Sequence, residues 1–427
     1  MWKYWRTYHI SLRNNQIYGI VSPTIIIWSR GPMANPAAII TSQPRLYYLD
    51  WLRVLSMLVV FFYHSNRFFN FGDWNVKNAQ LSEVSTIFEN ALGVFMMPLL
   101  FILSGAAIFY SLKSRWGSGF VKERSLRLAI PLLTLGLFIF GPLQVYLERL
   151  SHGDFNGNFW QFIPHYFAGF YGINGNFAWM GIHLWYLMLL FLFSIIFLPL
   201  FLSFHKNGVS PLSRISSLFG KPWTLFLLYV PLAFTPHLTN ALGMGFTRQM
   251  GGWDIFSYML FLIYGYLLFA NPRIIQTLSK YRFVFIILAL TLTIFWLVLR
   301  YSVLATPDTG FFFSTELRPL ICWFWILGIL GLGSRYLNLN NNTLSYTNEA
   351  VLPFYILHQP IIMSIGYFIV QLALPILLKY LIIASTSFIF IMAIYELLVR
   401  RINVLRFLFG MRLKKKSKTV LAIAGEA

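Results

Sequence analysis

Long apolar runs separated by short polar ones set the pattern of this chain. Runs approaching 20 apolar residues, the length that crosses a bilayer as a helix, fall near residues 49–66, 88–112, 127–148, 183–204, 223–236, 253–271, 282–304, 319–335, 350–370 and 374–398. The pattern predicts an all-α polytopic membrane protein of about ten transmembrane helices. The fifth run is the shortest and is broken by Pro222, Pro231 and Pro236. Residues 1–44 read differently: they are polar, are interrupted by Pro23, Pro32, Pro36 and Pro44, and hold no run long enough to span. They form a poorly structured N-terminal segment in this reading, without the apolar core and cleavage site of a signal peptide, and Met33 offers an alternative start. The predicted transmembrane domain covers residues 45–400, and residues 401–427 read as a basic cytoplasmic tail.

Composition agrees with the runs. The 427 residues are 58% hydrophobic and 11% charged, with a mean hydropathy of +0.65, where a soluble chain carries about 25% charged residues. A net charge of +20 would point to nucleic acid in a soluble protein. Here the basic residues lie between and after the spans, where positive-inside topology accounts for them, so nucleic acid is not an expected partner. Ten spans put both termini on one side, and about 25 of the 33 Lys and Arg residues then fall on that side against about 7 opposite. Both termini are therefore expected in the cytoplasm, in a multi-pass protein of the inner (plasma) membrane. Arg400, Arg401, Arg406, Arg412, Lys414, Lys415, Lys416 and Lys418 alone make the tail strongly basic. The long loop from Arg149 to Ile182 then lies outside; its Trp160, His165, Tyr166, Tyr171 and Trp179 suit either a carbohydrate surface or an aromatic belt. The lone Cys322 excludes an intrachain disulfide and a multi-cysteine metal site. No phosphate-loop, dinucleotide or zinc pattern is present, and no bound cofactor or metal is expected.

Candidate chemistry concentrates in the first run. Asp50, Arg53 and His64 stand in an otherwise greasy stretch, and an ionisable residue inside a span costs at least a few kcal/mol unless it faces the protein interior. Eleven residues at about 100° each return to within roughly 20° of the start, so Arg53 and His64 share a face about 16 Å apart. Asp50 lies on nearly the same stripe. His64 can serve as a general base on a hydroxyl, or be a packing residue hydrogen-bonded to a neighbouring helix. Arg53 suits a phosphate or carboxylate, or a structural pair with Asp50, and the two roles can coexist. Arg124 and Arg127, in the basic run Lys122 to Arg127, can hold the phosphates of a nucleotide-bearing donor or simply mark the cytoplasmic side. His183 and Trp185 open the fourth run as site residues or interfacial anchors. His358 lies between Pro353 and Pro360, whose missing N–H groups free backbone carbonyls around a cavity. Ser104 has no visible base and is not read as a nucleophile; Ser104-Gly105-Ala106-Ala107 is small enough for close helix contact.

These residues resemble the signatures of the membrane-bound acyltransferase 3 family. Arg53, ten residues and His64 match its Arg-X10-His pattern. Leu49-Asp50-Trp51-Leu52-Arg53, Phe101 to Gly105, Arg124 to Arg127 before Pro131, His183 to Leu187 and Tyr355 to Gln359 follow in family order, from about residue 45 to 398. The closer likeness is to the family's glucan succinyltransferase group. Arg124 and Arg127 are three apart, where some members have two basic residues two apart, and no soluble domain follows the tenth run to share in acceptor recognition.

The resemblance implies an O-acyltransferase that moves a succinyl or acetyl group from cytoplasmic acyl-CoA to a hydroxyl of an extracytoplasmic glucan or other polysaccharide. His64 is then the catalytic histidine and Arg53 positions the donor; Arg124, Arg127, His183, Trp185, His358 and Asp50 contact substrate. Acyl-CoA, the carbohydrate, the bilayer and glucan-synthesis machinery are the implied partners. The rival from another class is a transporter or flippase for a polysaccharide or lipid-linked sugar, with no inverted repeat visible to support it. A non-catalytic scaffold for a glucan synthase would leave Arg53 and His64 unexplained.

Overall fold

A computed structural model describes residues 45–114, 117–206, 218–301 and 313–414. The segment 1–44, the tail residues Lys415, Lys416 and Lys418, and the end of the expected span 282–304 lie outside the described residues. In chain order the helices are α1 (Tyr47–Asn66), α2 (Glu83–Ser114), α3 (Ser118–His152), α4 (Phe159–Tyr166), α5 (Ile182–Ile196), α6 (Leu198–Phe204) and α7 (Tyr229–Ala241). They continue with α8 (Ile255–Ala270), α9 (Pro272–Arg300), α10 (Thr315–Tyr336), α11 (Asn342–Ile369), α12 (Ile376–Val399) and α13 (Asn403–Leu408). The strands among the described residues are two short ones, Phe170–Tyr171 (β1) and Asn174–Gly175 (β2), paired in parallel in the loop between α4 and α5. The protein is thus mostly helical, as its apolar runs predict.

Among the described residues six helices, α2, α3, α9, α10, α11 and α12, are long and apolar enough to cross a membrane. The pair α5 and α6, bent by 50°, makes a seventh if it is one span. The chain is a multi-pass membrane protein, but length and apolarity alone give fewer spans than the expected ten. The physical reasons differ from helix to helix. In α1 the polar stripe of Asp50, Arg53 and His64 lowers the mean hydropathy of a 20-residue helix. α8 is apolar throughout yet only 16 residues long, and α7 has 13 residues with Pro236 inside it.

Side chains that satisfy exposed backbone donors set where several helices begin. Asp254 accepts from the Ser257 N–H at the start of α8 (2.9 Å), and Asn341 accepts from Leu344 at the start of α11 (2.8 Å). α1 is held on several sides, by α11, α2, α10 and α12. α11 also packs on α12 and on α3, and α9 lies along α10. The short α13 is tied back to the bundle: the buried Arg406 donates to Glu349 of α11 (2.9 Å), and Gly410 packs against the backbone of Arg127.

Helix contact in a membrane gains little from the hydrophobic effect, because lipid tails are as apolar as the side chains, so close van der Waals packing takes over. The crossing of α2 and α8 illustrates this. A Cβ on Gly105 would strike the Leu262 carbonyl, and a Cβ on Gly265 would strike the Ile102 carbonyl. The two backbones are therefore in direct contact, in the small-residue stretch read from the sequence.

A methyl group at this crossing must push the helices apart. Gly265→Ala is expected to lower unfolding stability in detergent by about 2 kcal/mol. Gly119→Ala, where the added methyl meets nothing, should leave stability unchanged or slightly higher. Equal thermal midpoints for the two variants would refute the close crossing.

Candidate functional site

Proline placement in α11 builds the first part of the site. Pro360 has no N–H to give the carbonyl of Ile356, four residues earlier. That carbonyl accepts instead from Nε2 of the buried His183 (3.1 Å), at the start of α5. Tyr355 of α11 returns the link by donating its hydroxyl to the His183 carbonyl (2.5 Å). His358, one turn on from Tyr355, donates Nδ1–H to the Tyr355 carbonyl (2.5 Å) and brings Nε2 to 3.3 Å from Nδ1 of His64. The rings of His64 and His358 lie 5.0 Å apart, and those of His183 and His358 5.2 Å apart. Three histidines that the sequence spreads over 295 positions thus form one cluster.

The hydrogen bonds also select tautomers. His64 Nδ1 lies 2.9 Å from the Val60 carbonyl, an acceptor with no proton of its own, so Nδ1 carries the hydrogen. His358 has spent its proton on Tyr355, so its Nε2 receives from the same His64 Nδ1–H. A neutral His64 then keeps Nε2 as an unprotonated nitrogen. By the same reasoning His183 keeps an unprotonated Nδ1, which is buried without a hydrogen-bond partner. Among the described residues no group of three or more His, Cys, Asp or Glu side chains is arranged to hold a metal ion.

His64 and His183 line a cavity of about 1280 Å³ at the C-terminal end of α1. Trp185 lines it as well, with its ring 5.2 Å from that of Tyr258. Polar groups of the connecting loops form much of the wall. Arg67 and Asn70 both donate to Glu89 (2.5 Å each), and the Tyr63 hydroxyl donates to the same carboxylate at 3.2 Å. Lys77 donates to the carbonyls of Arg67, Asn70 and Gly72 and so folds the loop 67–77 over the end of α1. This loop brings Trp74 to 6.4 Å from the His64 ring. Glu148 also lines the cavity, and its carboxylate accepts from Asn75 of the same loop and from the Tyr171 hydroxyl (2.7 Å). Burial, with Glu148 beside it, holds the Tyr171 phenol well above its ordinary range and keeps it a donor.

Arg53, Asp50, Arg124 and Arg127 do not line this cavity. They gather toward the other end of α1. Arg53 pairs with Asp50 at 3.2 Å, and Arg127 with Glu123 at 3.7 Å. Arg124 lies over the Phe120 ring (5.0 Å) and keeps its Nε buried without an acceptor. Arg53, Arg124 and Arg127 lie within one another's electrostatic range, and Arg412 joins them beside Arg127. Tyr186 stands between the two ends. It feels both Arg53 and Arg124, bonds Ser104 at 2.6 Å, and packs its ring 5.8 Å from that of Tyr355.

The residues singled out from the sequence thus fall into two groups. The structure joins His64, His183, His358 and Trp185 around one end of α1, and Arg53, Asp50, Arg124 and Arg127 around the other. Sequence reading missed Tyr63, Arg67, Glu89, Glu148 and Arg318 on the cavity wall. Glu89 and Glu148 carried a usable signal, as acids at the edges of apolar runs.

Comparison with known proteins adds an independent line. An acyltransferase domain family matches residues 46–396. Proteins named Glucans biosynthesis protein C from Salmonella heidelberg and Salmonella typhi are 25% identical over 402 residues, covering 89% of this chain and 98% of their own. The protein of that name from Salmonella typhimurium is 24% identical over 402 residues, covering 88% and 98%. No solved structure matches.

The Arg67–Glu89 pair at the cavity wall is mostly buried, with side chains 14% and 17% exposed. Removing Glu89 leaves a cation and the Asn70 amide without their acceptor. Glu89→Ala is expected to cost about 3 kcal/mol of stability, and adding Arg67→Met should recover much of it. A double variant no more stable than Glu89→Ala would mean that the ion pair is not what holds this wall.

Proposed function

This chain belongs to the acyltransferase 3 family and is a membrane acyltransferase, and from that premise we propose that it acylates a carbohydrate across the bilayer. The donor is an acyl-CoA in the cytoplasm carrying a succinyl or acetyl group. The acceptor is a hydroxyl of an extracytoplasmic glucan or other polysaccharide. The proposal includes ten spans in the inner membrane, with α1, α7, α8 and the bent α5–α6 pair completing the set and both termini cytoplasmic. It also includes association with the machinery that makes the glucan.

One observation carries the chemical role. His64 has Nδ1–H engaged by Val60 and His358 on a ring that lines the cavity, which leaves Nε2 as its basic nitrogen. In the proposed reaction Nε2 takes the proton of the acceptor hydroxyl as its oxygen attacks the thioester carbonyl. The new C–O bond forms, the C–S bond breaks, and the departing CoA thiolate recovers the proton from the imidazolium. His358 Nε2, as an acceptor against Nδ1–H, favours the cationic ring formed midway. A relay in which Nε2 first carries the acyl group uses the same nitrogen. The cations Arg53, Arg124 and Arg127 suit the phosphates of CoA at the opposite end of α1. Trp179, Tyr171 and Asn176 on the cavity wall suit a sugar, through apolar ring faces and fixed polar groups.

Purified protein incubated with acetyl-CoA or succinyl-CoA and a glucan should release free CoA thiol. His64→Ala should lower that rate by about a thousandfold with the protein still folded. Activity close to wild type in His64→Ala would refute the base. Absence of both turnover and CoA binding in folded wild type would favour the transporter. Topology is checked separately, in a chain whose own cysteine is buried. A cysteine replacing the exposed Trp160 should react with an impermeant maleimide on intact cells. A cysteine replacing Arg401 should react only after lysis; labelling of both from outside would rule out the proposed arrangement.

A further inference from the structure

Arg318, in the first turns of α10, lines the same cavity as His64. Its setting is built by neighbouring backbone. Gly251 and Gly252 take positive φ of 70° and 79°, a region open to glycine at little cost. That turn aims the Gly252 carbonyl at the guanidinium, which donates to it at 2.5 Å and to the Gly93 carbonyl at 3.3 Å. The indole of Trp253 lies under the group, 4.5 Å from ring centre to the guanidinium carbon. The guanidinium is therefore held in one place with further N–H groups to offer.

Beyond the ring face of Trp253, its charge is not answered. Among the described residues Arg318 forms no ion pair with a carboxylate, and Arg300, another lining residue, is a cation in its field. The neighbouring acid Glu89 is committed to Arg67. Two neutral carbonyl contacts would be met as well by an uncharged donor, whereas a half-buried cation with a second one in its field is best complemented by an anion. Tyr63 joins this region to the chemistry: it lies in the field of Arg318, and its ring is 5.2 Å from that of His64.

We propose that Arg318 is a specificity-determining residue that receives a carboxylate of the substrate reacting at His64. The carboxylate belongs to a dicarboxylic acyl group or to an acidic sugar of the acceptor. The proposal rests on the acyl-transfer reading and adds the charge of the substrate to it. A planar guanidinium pairs with a carboxylate through two parallel hydrogen bonds, a match that a neutral acyl chain of equal length cannot make.

The test compares succinyl-CoA with butyryl-CoA, which has the same chain length without the charge, in wild type, Arg318→Gln and Arg318→Lys. The ratio of the two kcat/KM values is read on one sample, so it is independent of the folded fraction. A parallel arm keeps butyryl-CoA and compares a neutral gluco-oligosaccharide with one oxidised to a uronic acid. Arg318→Gln should lower one of these charged-to-neutral ratios by about tenfold or more, and Arg318→Lys by less. The arm in which the ratio falls identifies the source of the carboxylate. Ratios unchanged in both arms overturn the proposal while acyl transfer stands; wild type inactive in every arm overturns acyl transfer itself. If neither variant folds, wild type decides. Free glutarate should then inhibit butyryl transfer more than chloride of equal ionic strength, and equal inhibition overturns the proposal.

Discussion

Polar groups inside an apolar bundle must find partners there, and that constraint organises this protein. α1 carries Asp50, Arg53 and His64 through surroundings that offer little water. Each is answered by a specific neighbour: Asp50 by Arg53, and His64 by Val60 and His358. Of these partners His358 comes from another helix, and it ties α1 to α11. The link from Pro360 to the Ile356 carbonyl to His183 follows the same rule from the other direction. A proline strands an acceptor, and a histidine from a distant helix supplies the donor. The unsatisfied backbone group that would weaken an isolated helix is what joins α11 to α5.

The two ends of α1 carry different groups. Arg124, Arg127 and Arg412 collect around Arg53, while the His64 end joins three histidines and several tyrosines to paired acids and to the cavity's own arginines, Arg67, Arg300 and Arg318. Tyr186 and Tyr355 connect the two regions through the bundle, one beside the arginines and the other bonded to the His183 backbone. A charged donor group held at one end and an uncharged base kept at the other is a division that the proposed transfer requires. A protonated His64 would be no base. The tautomer fixed by Val60 and His358 places the proton of the neutral ring on Nδ1 and so leaves Nε2 to act as the base.

Legibility in the sequence followed the range of the interactions. The Arg53–His64 stripe is a local helical relation, and it was readable from spacing alone. So were the small residues at Gly105 and the prolines flanking His358. The cavity wall was not readable, because it depends on segments brought together over long separations. Arg318 gains its meaning only beside Gly93, Gly252 and Trp253. Glu148 gains its own from Asn75 and Tyr171. The span count was hard to read for a related reason. Polar residues that make α1 useful also make it look less like a span, and short helices such as α7 rely on neighbours that a hydropathy window does not see.

The spacing within α1 constrains more than the shared face. Offsets of about seven, eleven and fourteen residues all return a helix near its starting direction, at about 10, 16 and 21 Å along the axis. A common polar face therefore admits several distances, and the chain has only one of them, eleven. If Arg53 holds donor phosphates and His64 meets the thioester, this choice sets how far the flexible arm of the donor must reach. Sliding His64 by a single residue would add only about 1.5 Å but turn the ring by about 100°. His64 would then leave both His358 and the cavity. Direction is the sharper requirement, and the contacts of His64 with Val60 and His358 are what enforce it.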